Sequence, residues 1–170
     1  AHDIQVLEQL ASIVEHSEDA IIGKALDGTI TSWNHGAVSL YGYQADEVLG
    51  EPISLLVPPD LTDELPELLR RVSHGEHVNH YETVRQRKDG TLVDVSLSLS
   101  PIKDAHGVVV GASVIARDVS ERRRSDLRFR ELVETAPDAM VIVDERGFIE
   151  LINAQTEQLF GYPRAELVGQ

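Results

Sequence analysis

The stretch VEHSEDAIIGKALDGTITSWNHGAVSLYGYQADEVLGE, residues 14–51, is repeated as VETAPDAMVIVDERGFIELINAQTEQLFGYPRAELVGQ, residues 133–170. The two copies align without a gap at an offset of 119, and twelve of the 38 aligned pairs are identical. A repeat of this period is one whole domain, so the sequence predicts a tandem array. Because the second copy holds only the first part of the unit, we expect the chain to be a fragment of a longer protein.

The composition indicates a soluble globular protein and argues against several classes of function. The 170 residues carry a formal charge of −14, which repels polyanions, so nucleic-acid binding is not expected. The longest apolar stretch, residues 108–116, is about half of the ~20 residues that a membrane-spanning helix needs, so no membrane contact by this fragment is expected. Cysteine is absent, which excludes thiolate chemistry, and a reducing cytoplasm is the simplest compartment.

Hydrophobic periodicity predicts helices and two short strands before residue 76. Residues 3–16 read as an amphipathic helix whose apolar stripe is wide enough to pack on its own domain or on a partner helix. Asn34 suits a helix N-cap, and Pro66 should either kink the longest helix or mark where its regular part begins. The other expected elements are strands at 20–25 and 29–33, helices at 35–41 and 45–49, and a longer helix between Asp60 and Gly75.

The next part of the chain is predicted to be β. Val93, Val95, Leu97 and Leu99 alternate with polar residues, which indicates a strand with one core face and one polar face. Together with the first two strands, this region predicts an α+β fold in which helices cover one face of a five-stranded antiparallel sheet. The three further strands are expected at 78–87, 91–100 and 108–116.

An arginine-rich helix is expected after the sheet, at residues 120–136, and the second copy follows it. That copy is predicted to hold two strands and two helices. Because a segment of this size is too small for a lone core, we expect residues 137–170 to be poorly ordered or to borrow burial from another chain. The expected strands lie at about 139–144 and 148–152, and the helices at 154–160 and 164–168.

The most specific motif is W-N-H-G-A-x3-Y-G-Y-x3-E-V-L-G at residues 33–50. It resembles the W-N-x-G-A-x3-F/Y-G-Y-x3-E-x-x-G core of PAS sensory domains. R-K-D-G-T at 87–91 resembles the K-D-G hairpin of that family, and D-V-S-E-R at 118–122 resembles its exit motif into a signalling helix. The positions that carry the resemblance are Trp33, Asn34, Gly36, Tyr41, Gly42, Tyr43 and Gly50.

The resemblance implies a PAS fold, in which a five-stranded antiparallel sheet is wrapped by short helices around an inner cavity. It implies a domain order of an N-terminal amphipathic helix (1–17), a PAS domain (18–121), a linker or signalling helix (122–136) and the truncated start of a second PAS domain (137–170). Domains of this family sense a ligand, a redox state or a partner and pass the change through a helix to an effector.

We therefore expect a sensory module from a larger bacterial two-component protein, most simply a histidine kinase, that forms a homodimer through its flanking helices. The alternative is a ligand-free dimerisation or scaffold module of a phosphatase, a cyclic-dinucleotide enzyme or a transcription regulator. The chain itself is not expected to be an enzyme, because the sequence shows neither a phosphate-binding glycine loop nor a catalytic set.

A ligand pocket is expected between the inner face of the sheet and the long helix. The alternative is that the same side chains fill a tight core without a ligand. Tyr81 or Thr83 would be needed to orient a ligand, although a slip of one residue would reverse the face that they take. The candidate lining residues are Ile22, Ile30, Leu56, Leu65, Leu69, Val72, Tyr81, Val95, Leu97 and Ile115.

Asp118, Val119 and Ser120 form the candidate signal junction. Our hypothesis is that Asp118 and Ser120 hold this junction by hydrogen bonds to the backbone or to a basic side chain. The alternative is a plain strand end followed by a helix N-cap at Ser120, which needs no signalling role.

The cofactor is unknown from the sequence. Haem-binding members of the family carry a histidine on the long helix, where this chain has Leu65, so haem is not expected. Photosensors of the light-oxygen-voltage type need a cysteine for the flavin adduct, so a cysteinyl-flavin is not expected either. His74, His77 and His80 could ligate a metal, but they are predicted to be solvated because they fall on a helix end, a loop and a strand.

Overall fold

The computed structural model describes the backbone of residues 2–170 and the side chains from residue 3 onward. Ala1, which belongs to the predicted N-terminal helix, lies outside the described residues. The chain forms two compact units, of which the first ends at Ser120 and the second runs from Glu121 to Gln170. The finer division into four segments stays a prediction.

The first unit contains one five-stranded sheet. Its strands are β1 (Ala20–Ala25), β2 (Ile30–Trp33), β3 (Val78–Gln86), β4 (Leu92–Lys103) and β5 (Val109–Asp118). They are antiparallel throughout, in the order β2-β1-β5-β4-β3. The predicted α+β class and five-stranded antiparallel sheet are therefore confirmed.

Burial in β4 follows the alternation that the sequence predicts. Val93, Val95, Leu97 and Leu99 are each at most 4% exposed, and the intervening residues are less buried. Because successive side chains of a strand point to opposite faces, this pattern assigns one face of the sheet to the core. The inner face of the sheet is thus apolar along its longest strand.

Short helices cover that inner face. They are α2 (His35–Tyr41), α3 (Ala45–Val48) and α4 (Glu64–Ser73), with single 3-10 turns at Ile53–Leu56 and Pro59–Leu61. Another helix, α1 (His2–Glu15), precedes β1 in the chain. α2 packs on β1, and α4 packs on β3, β4 and β5. Pro66 lies in the first turn of α4, where its missing N–H has no helical partner to lose, so it marks the start of the helix and introduces no kink.

α1 does not bury its apolar stripe in the described chain. Ile4, Leu7, Leu10 and Ile13 are each more than half exposed. The interpretation in which this helix caps its own sheet is therefore wrong for these side chains. The stripe remains available for contact with another helix.

Asn34 ties three segments of the first unit together. Its Oδ1 accepts hydrogen bonds from the backbone N–H of Ile21 at 2.8 Å and of Ala37 at 3.0 Å. Its Nδ2 donates to the carbonyls of Val14 at 2.8 Å and Asp19 at 3.0 Å. The side chain is 3% exposed, so one asparagine N-caps α2 and also fixes the chain before and within β1.

The other motif residues build the turn around Asn34. A Cβ at Gly36 would lie 2.2 Å from the carbonyl oxygen of Asp19, so the close approach of these two segments requires glycine. Trp33 donates from Nε1 to the carbonyl of Tyr43 at 3.0 Å, and its ring lies 5.7 Å from that of buried Tyr41.

Two more glycines of the motif lie at the C-terminal ends of α2 and α3. Gly42 ends α2 with a left-handed φ of 82°, and Gly50 follows α3 with a φ of 85°. A side chain at either position would be strained because L-residues rarely adopt this conformation. The motif is therefore explained by local geometry, and none of its residues needs a ligand to account for it.

The second unit repeats the start of this architecture. It contains most of α5 (Ser120–Thr135), and then β6 (Val141–Val143), β7 (Ile149–Ile152), α6 (Ala154–Phe160) and α7 (Arg164–Leu167). Asn153 caps α6 as Asn34 caps α2, accepting from the N–H of Thr156 at 3.1 Å.

The expectation for residues 137–170 is corrected in part. We expected disorder or burial supplied by another chain, whereas the structure shows regular elements and a small core. That core contains Ile152 and Thr156, and it includes Val133 from α5 of the same chain, which is 2% exposed. Much apolar surface nevertheless remains open, since Leu159 and Phe160 are each at least 60% exposed.

Candidate ligand-binding cavity and helix junction

An internal cavity of about 20 Å³ lies within the first unit, between the inner face of the sheet and the helical segment that contains α4. This volume has room for about one or two water molecules. Four of the predicted pocket residues line it, namely Ile22, Leu56, Leu65 and Leu97. The others named in its wall are Lys24, Tyr41, Ile53, Val57, Leu68, Arg85, Leu99 and Val114.

The remaining predicted pocket residues lie elsewhere. Ile30, Val72 and Val95 are at most 1% exposed and belong to the packed core, outside the cavity wall. Leu69 and Tyr81 are half-buried and do not line the cavity either. The structure therefore supports the tight-core interpretation for Ile30, Val72 and Val95.

The prediction for Ile115 is wrong. Its side chain is 41% exposed, whereas its neighbours Val114 and Ala116 are buried. Ile115 pairs with Ile21 of β1 and Ser98 of β4, on the face of the sheet that does not meet the core. The error is one of strand parity, since a shift of one residue exchanges the two faces.

Polar side chains form a buried cluster beside the cavity. Arg85 of β3 donates from Nη1 to the carboxylate of Glu64 at 3.0 Å, and the two side chains are 6% and 17% exposed. Thr83 donates its hydroxyl to the same carboxylate at 2.6 Å. Because Thr83 and Arg85 are two residues apart on β3, both face inward. This cluster joins the start of α4 to the edge strand of the sheet.

Lys24 is the one residue of the cavity wall that carries a charge without a partner among the described side chains. It is 3% exposed and follows Ile22 by two residues on β1, so it points to the inner face. Burial, and to a smaller extent the nearby positive charge of Arg85, lower the pKa of its ammonium group to about 8. A buried, unpaired lysine of this kind is costly unless something compensates it.

Sequence reasoning missed Lys24, Glu64 and Arg85 as cavity or cluster residues. The alternation of β1 could have identified Lys24, since Ala20, Ile22 and Lys24 share one face. The same logic applies to Arg85, which shares a face with Thr83. No signal in the sequence pairs Glu64 with Arg85, because that contact depends on where α4 lies against the sheet.

The candidate junction is held by hydrogen bonds to the backbone. The Asp118 carboxylate accepts from the N–H of Ser120 at 2.9 Å, and the backbone carbonyl of Asp94, near the start of β4, accepts from the N–H of Val119 at 2.9 Å. The N–H of Asp94 in turn donates to the Ser120 hydroxyl at 3.3 Å. Arg87 approaches Asp118 at 3.8 Å. The first residue of α5 is therefore attached to β4 as well as to β5.

The histidines of the α4–β3 region do not converge. His74 lies 2.7 Å from the carbonyl of Arg70, and His77 lies 3.2 Å from the Ser100 hydroxyl. Within the described residues, no group of three His, Cys, Asp or Glu side chains is placed to hold a metal ion. Leu65, the position at which haem-binding members carry histidine, lines the cavity.

Two family models match the chain. The model described as PAS domain matches residues 18–121, and that described as PAS fold matches residues 127–170. The chain belongs to the PAS domain family. The two features of the first PAS domain that bear on function are its inner cavity and the junction between β5 and α5.

The curated relatives of these PAS domains include named sensors. The chain is 30% identical over 156 residues to the signal transduction histidine-protein kinase AtoS of Escherichia coli, covering 85% of this chain and 25% of the kinase. It is 28% identical over 148 residues to the sensor protein FixL of Bradyrhizobium diazoefficiens, covering 81% of this chain and 29% of FixL. As a PAS region related to such proteins, the chain is a sensory, signal-transduction module.

Solved PAS domains share the fold of the first unit. A PAS domain from Colwellia psychrerythraea superposes with a TM-score of 0.64 at 30% identity, over 69% of this chain and 99% of that chain. The PAS domain of an HTR-like protein from Haloarcula marismortui gives a TM-score of 0.57 at 26% identity, over 69% and 98%. In the described residues, no helix has both the length and the apolar character needed to cross a membrane.

Proposed function

We propose that this chain is the sensory region of a larger bacterial histidine kinase, located in the cytoplasm, and that the first PAS domain controls the output domain through α5. The observation that carries this proposal is the junction, where hydrogen bonds from Val119 and Ser120 attach the start of α5 to β4 and β5. A shift of the inner sheet face would move these strands, and the helix attached to them would move as well.

The similarity to a histidine-protein kinase over 85% of this chain supports the choice of effector. The chain spans only 25% of that kinase, so the catalytic part of the proposed parent protein lies outside this sequence. We propose no catalytic activity for the chain itself. The carboxylate of Glu64 accepts hydrogen bonds from Arg85 and Thr83, an arrangement that holds α4 against β3.

Homodimer formation through the flanking helices is part of the proposal. The stripe of α1 is exposed, and α5 also exposes Leu127, Phe129 and Leu132, each by more than half. Exposed apolar stripes on helices are typical of helix–helix contacts. Pairing of two copies would convert a small movement of a strand into a rotation or a register change of the helices.

The dimer contact on α1 can be tested with one substitution. Leu10→Glu places a charge in the apolar stripe, and we expect it to raise the dissociation constant of the dimer at least tenfold, because the charge would have to be buried. Analytical ultracentrifugation of this chain over a range of concentrations measures the effect. Gln9→Glu adds the same charge one residue away and should leave the constant unchanged; equal behaviour of both variants would argue against this contact.

The ligand-free scaffold remains a second candidate, because the cavity of about 20 Å³ is small for a sensor pocket. The two candidates differ in one observable. A sensor carries or gains a small molecule that alters the start of α5, whereas a scaffold does not. Native mass spectrometry combined with hydrogen exchange at residues 119–123 distinguishes them.

Replacement of Asp118 tests the relay. Asp118→Ala removes the acceptor of the Ser120 N–H, so we expect hydrogen exchange at Ser120 to become about five- to tenfold faster, which corresponds to ~1 kcal/mol. In the full-length protein, the variant should lose more than half of the signal-dependent change in output. Asp46→Ala, at an exposed position of α3, is the matched control. Faster exchange at Ser120 combined with a wild-type response would refute the relay through this junction.

A further inference from the structure

The chain enters and leaves the sheet of the first PAS domain at the same corner. β1 begins at Ala20, whose partner in the antiparallel ladder is Ala116 of β5. Asp19 precedes this pair on the entry side, and Arg117 follows it on the exit side. Because β1 and β5 are hydrogen-bonded neighbours, the segment after α1 and the segment before α5 lie side by side.

A charged pair joins the two segments at this corner. Arg117 donates from Nη2 to Oδ2 of Asp19 at 2.8 Å and from Nε to Oδ1 at 3.1 Å, a two-point contact that fixes orientation as well as distance. These hydrogen bonds hold the pKa of the Asp19 carboxyl below its ordinary value, so the pair is charged at neutral pH. The Arg117 side chain is 67% exposed, and exposed ion pairs add little to stability. What the pair supplies is therefore a fixed geometry between entry and exit.

Asp19 is also fixed to the last turn of α1. Asn34 Nδ2 donates to the carbonyl oxygens of Val14 and Asp19, at 2.8 and 3.0 Å. A Cβ at Gly36 would lie 2.8 Å from the carbonyl oxygen of Ser17 and 2.2 Å from that of Asp19, so α2 contacts the same segment closely. The residues between α1 and β1 are thus held at both ends, and a displacement of the last turn of α1 displaces Asp19.

Arg117 connects Asp19 to the start of α5. It directly precedes Asp118, whose carboxylate accepts from the N–H of Ser120 at 2.9 Å. Ser120 is the first residue of α5. The contacts form an unbroken series from the last turn of α1 through Asp19 and Arg117 to the first turn of α5, and the residues of this series lie outside the cavity wall.

The internal repeat indicates the direction in which this series is used. Asn153 Nδ2 donates to the carbonyl of Asp138 at 2.8 Å, and these two residues are the aligned partners of Asn34 and Asp19. The second copy is therefore anchored after α5 as the first copy is anchored after α1. In the proposed function α5 is the output helix of the first domain, and in the chain it is the entry helix of the second. By the same position, α1 is an entry helix that can carry a signal.

We propose that the first PAS domain also relays signals that arrive through α1, and that the Asp19–Arg117 pair transmits a displacement of this helix to the start of α5. The inference rests on the proposed function for the output helix, and it adds a second origin of the signal that bypasses the inner cavity. Asp19 and Arg117 are positioning residues in this relay. A path of this kind lets one PAS domain of a tandem array pass on a change that originates outside it.

The experiment perturbs α1 and measures hydrogen exchange at the N–H of Ser120 in this chain by NMR. Val14→Pro is the perturbation, because proline interrupts the last turn of α1. The ratio of exchange rates with and without Val14→Pro is measured in four backgrounds, namely wild type, Asp19→Arg, Arg117→Asp and the double variant with exchanged charges. The amide of Leu97, in the middle of β4, reports global unfolding and serves as the reference.

We expect Val14→Pro to raise the exchange rate at Ser120 at least about threefold in wild type and less than about 1.5-fold in either single variant. The double variant restores the pair with its charges exchanged and should recover the wild-type response. A purely structural role of the two side chains predicts no such recovery. A response that is equal in all four backgrounds, absent in wild type or not recovered in the double variant would overturn the inference.

Glu67 and Arg70 of α4 provide the matched control. Arg70 contacts Glu67 through Nε at 3.0 Å and Nη2 at 2.8 Å, so this exposed pair has the same two-point geometry. Glu67→Arg should leave the response of Ser120 to Val14→Pro at its wild-type value. Loss of the response in this control would mean that a change of surface charge alone is sufficient, and it would contradict the inference.

The result also separates this path from the relay out of the cavity. Asp118→Ala tests that relay through the output of the full-length protein, whereas the exchange ratio needs neither a ligand nor an output domain. A wild-type output in Asp118→Ala together with a recovered response in the double variant would refute the cavity relay and retain the path from α1. Loss of output in Asp118→Ala together with an exchange ratio that is independent of the pair would retain the relay and remove the path.

Discussion

Asn34→Ala is expected to lower the free energy of unfolding of the first PAS domain by about 3–5 kcal/mol. The substitution deletes four hydrogen bonds, which run to Ile21, Ala37, Val14 and Asp19. The larger part of the cost comes from the backbone groups left behind, since a buried donor or acceptor without a partner costs about 1–3 kcal/mol. Loss of the α2 N-cap alone contributes about 1 kcal/mol.

Urea denaturation followed by tryptophan fluorescence measures this effect. The chain contains a single tryptophan, Trp33, which lies next to Asn34 in the first domain, so the signal reports on that unit. Asn79→Ala, at an exposed position of β3, is the matched control and should change the stability by less than about 0.5 kcal/mol. A loss below about 1 kcal/mol in Asn34→Ala would show that water or relaxation satisfies the orphaned backbone groups.

The parts of the fold that were predictable from sequence are those governed by local chemistry. β1 and α2 have the predicted bounds, Ala20–Ala25 and His35–Tyr41. The bounds of α2 depend only on adjacent residues, since Asn34 caps its start and Gly42 ends it. The core face of β4 was predictable for the same reason, since period-two alternation needs no knowledge of the rest of the chain.

The candidate site was less predictable because it depends on how distant segments pack. Leu69 and Val72 follow the apolar stripe of α4, but only the rotation of that helix against the sheet decides which of its residues meets the cavity. The prediction that Ile115 lines the pocket was wrong because Val114 and Ile115 are both apolar. The sequence therefore does not show which of the two faces the core. Lys24 was overlooked because a lysine is normally exposed, and only its place in the alternation of β1 indicated otherwise.

The burial of Lys24 affects the stability of the first PAS domain. A buried charge that lacks a partner lowers stability, and positions of this kind are retained where activity depends on them. In this domain the ammonium group of Lys24 belongs to the cavity wall, which is formed mainly by apolar side chains. Lys24 therefore lowers the stability of the domain through the desolvation of its ammonium group.

Lys24→Met is therefore expected to stabilise the ligand-free domain, by about 2–3 kcal/mol at pH 7. Methionine has a similar length and no charge, so it removes the desolvation cost without leaving a large void. The lysine pKa is about 8 in the folded state and has an ordinary value of 10.5. A difference of this size between folded and unfolded states corresponds to about 3 kcal/mol when both states are protonated, which is the case below pH 8.

The stability gain from Lys24→Met should depend on pH, because the lysine loses its proton at a lower pH in the folded state than in the unfolded state. Between about pH 8 and 10.5 the unfolded state holds a proton that the folded state has lost, so wild-type stability rises with pH across this window. The advantage of Lys24→Met should shrink over the same range, to about half by pH 9.5. Tyr41, whose pKa is raised by burial, acts in the opposite direction at higher pH, but it is present in both proteins and cancels in the difference.

Urea titrations of wild type and Lys24→Met at several pH values from 6.5 to 9.5 measure that difference. Lys24 faces the cavity together with Arg85, and its pKa of about 8 lies inside this range. Lys103→Met, which removes an exposed lysine, should differ from wild type by less than about 0.5 kcal/mol at every pH. A gain for Lys24→Met that stays constant from pH 6.5 to 9.5 would mean that improved packing, and not the removed charge, is its cause.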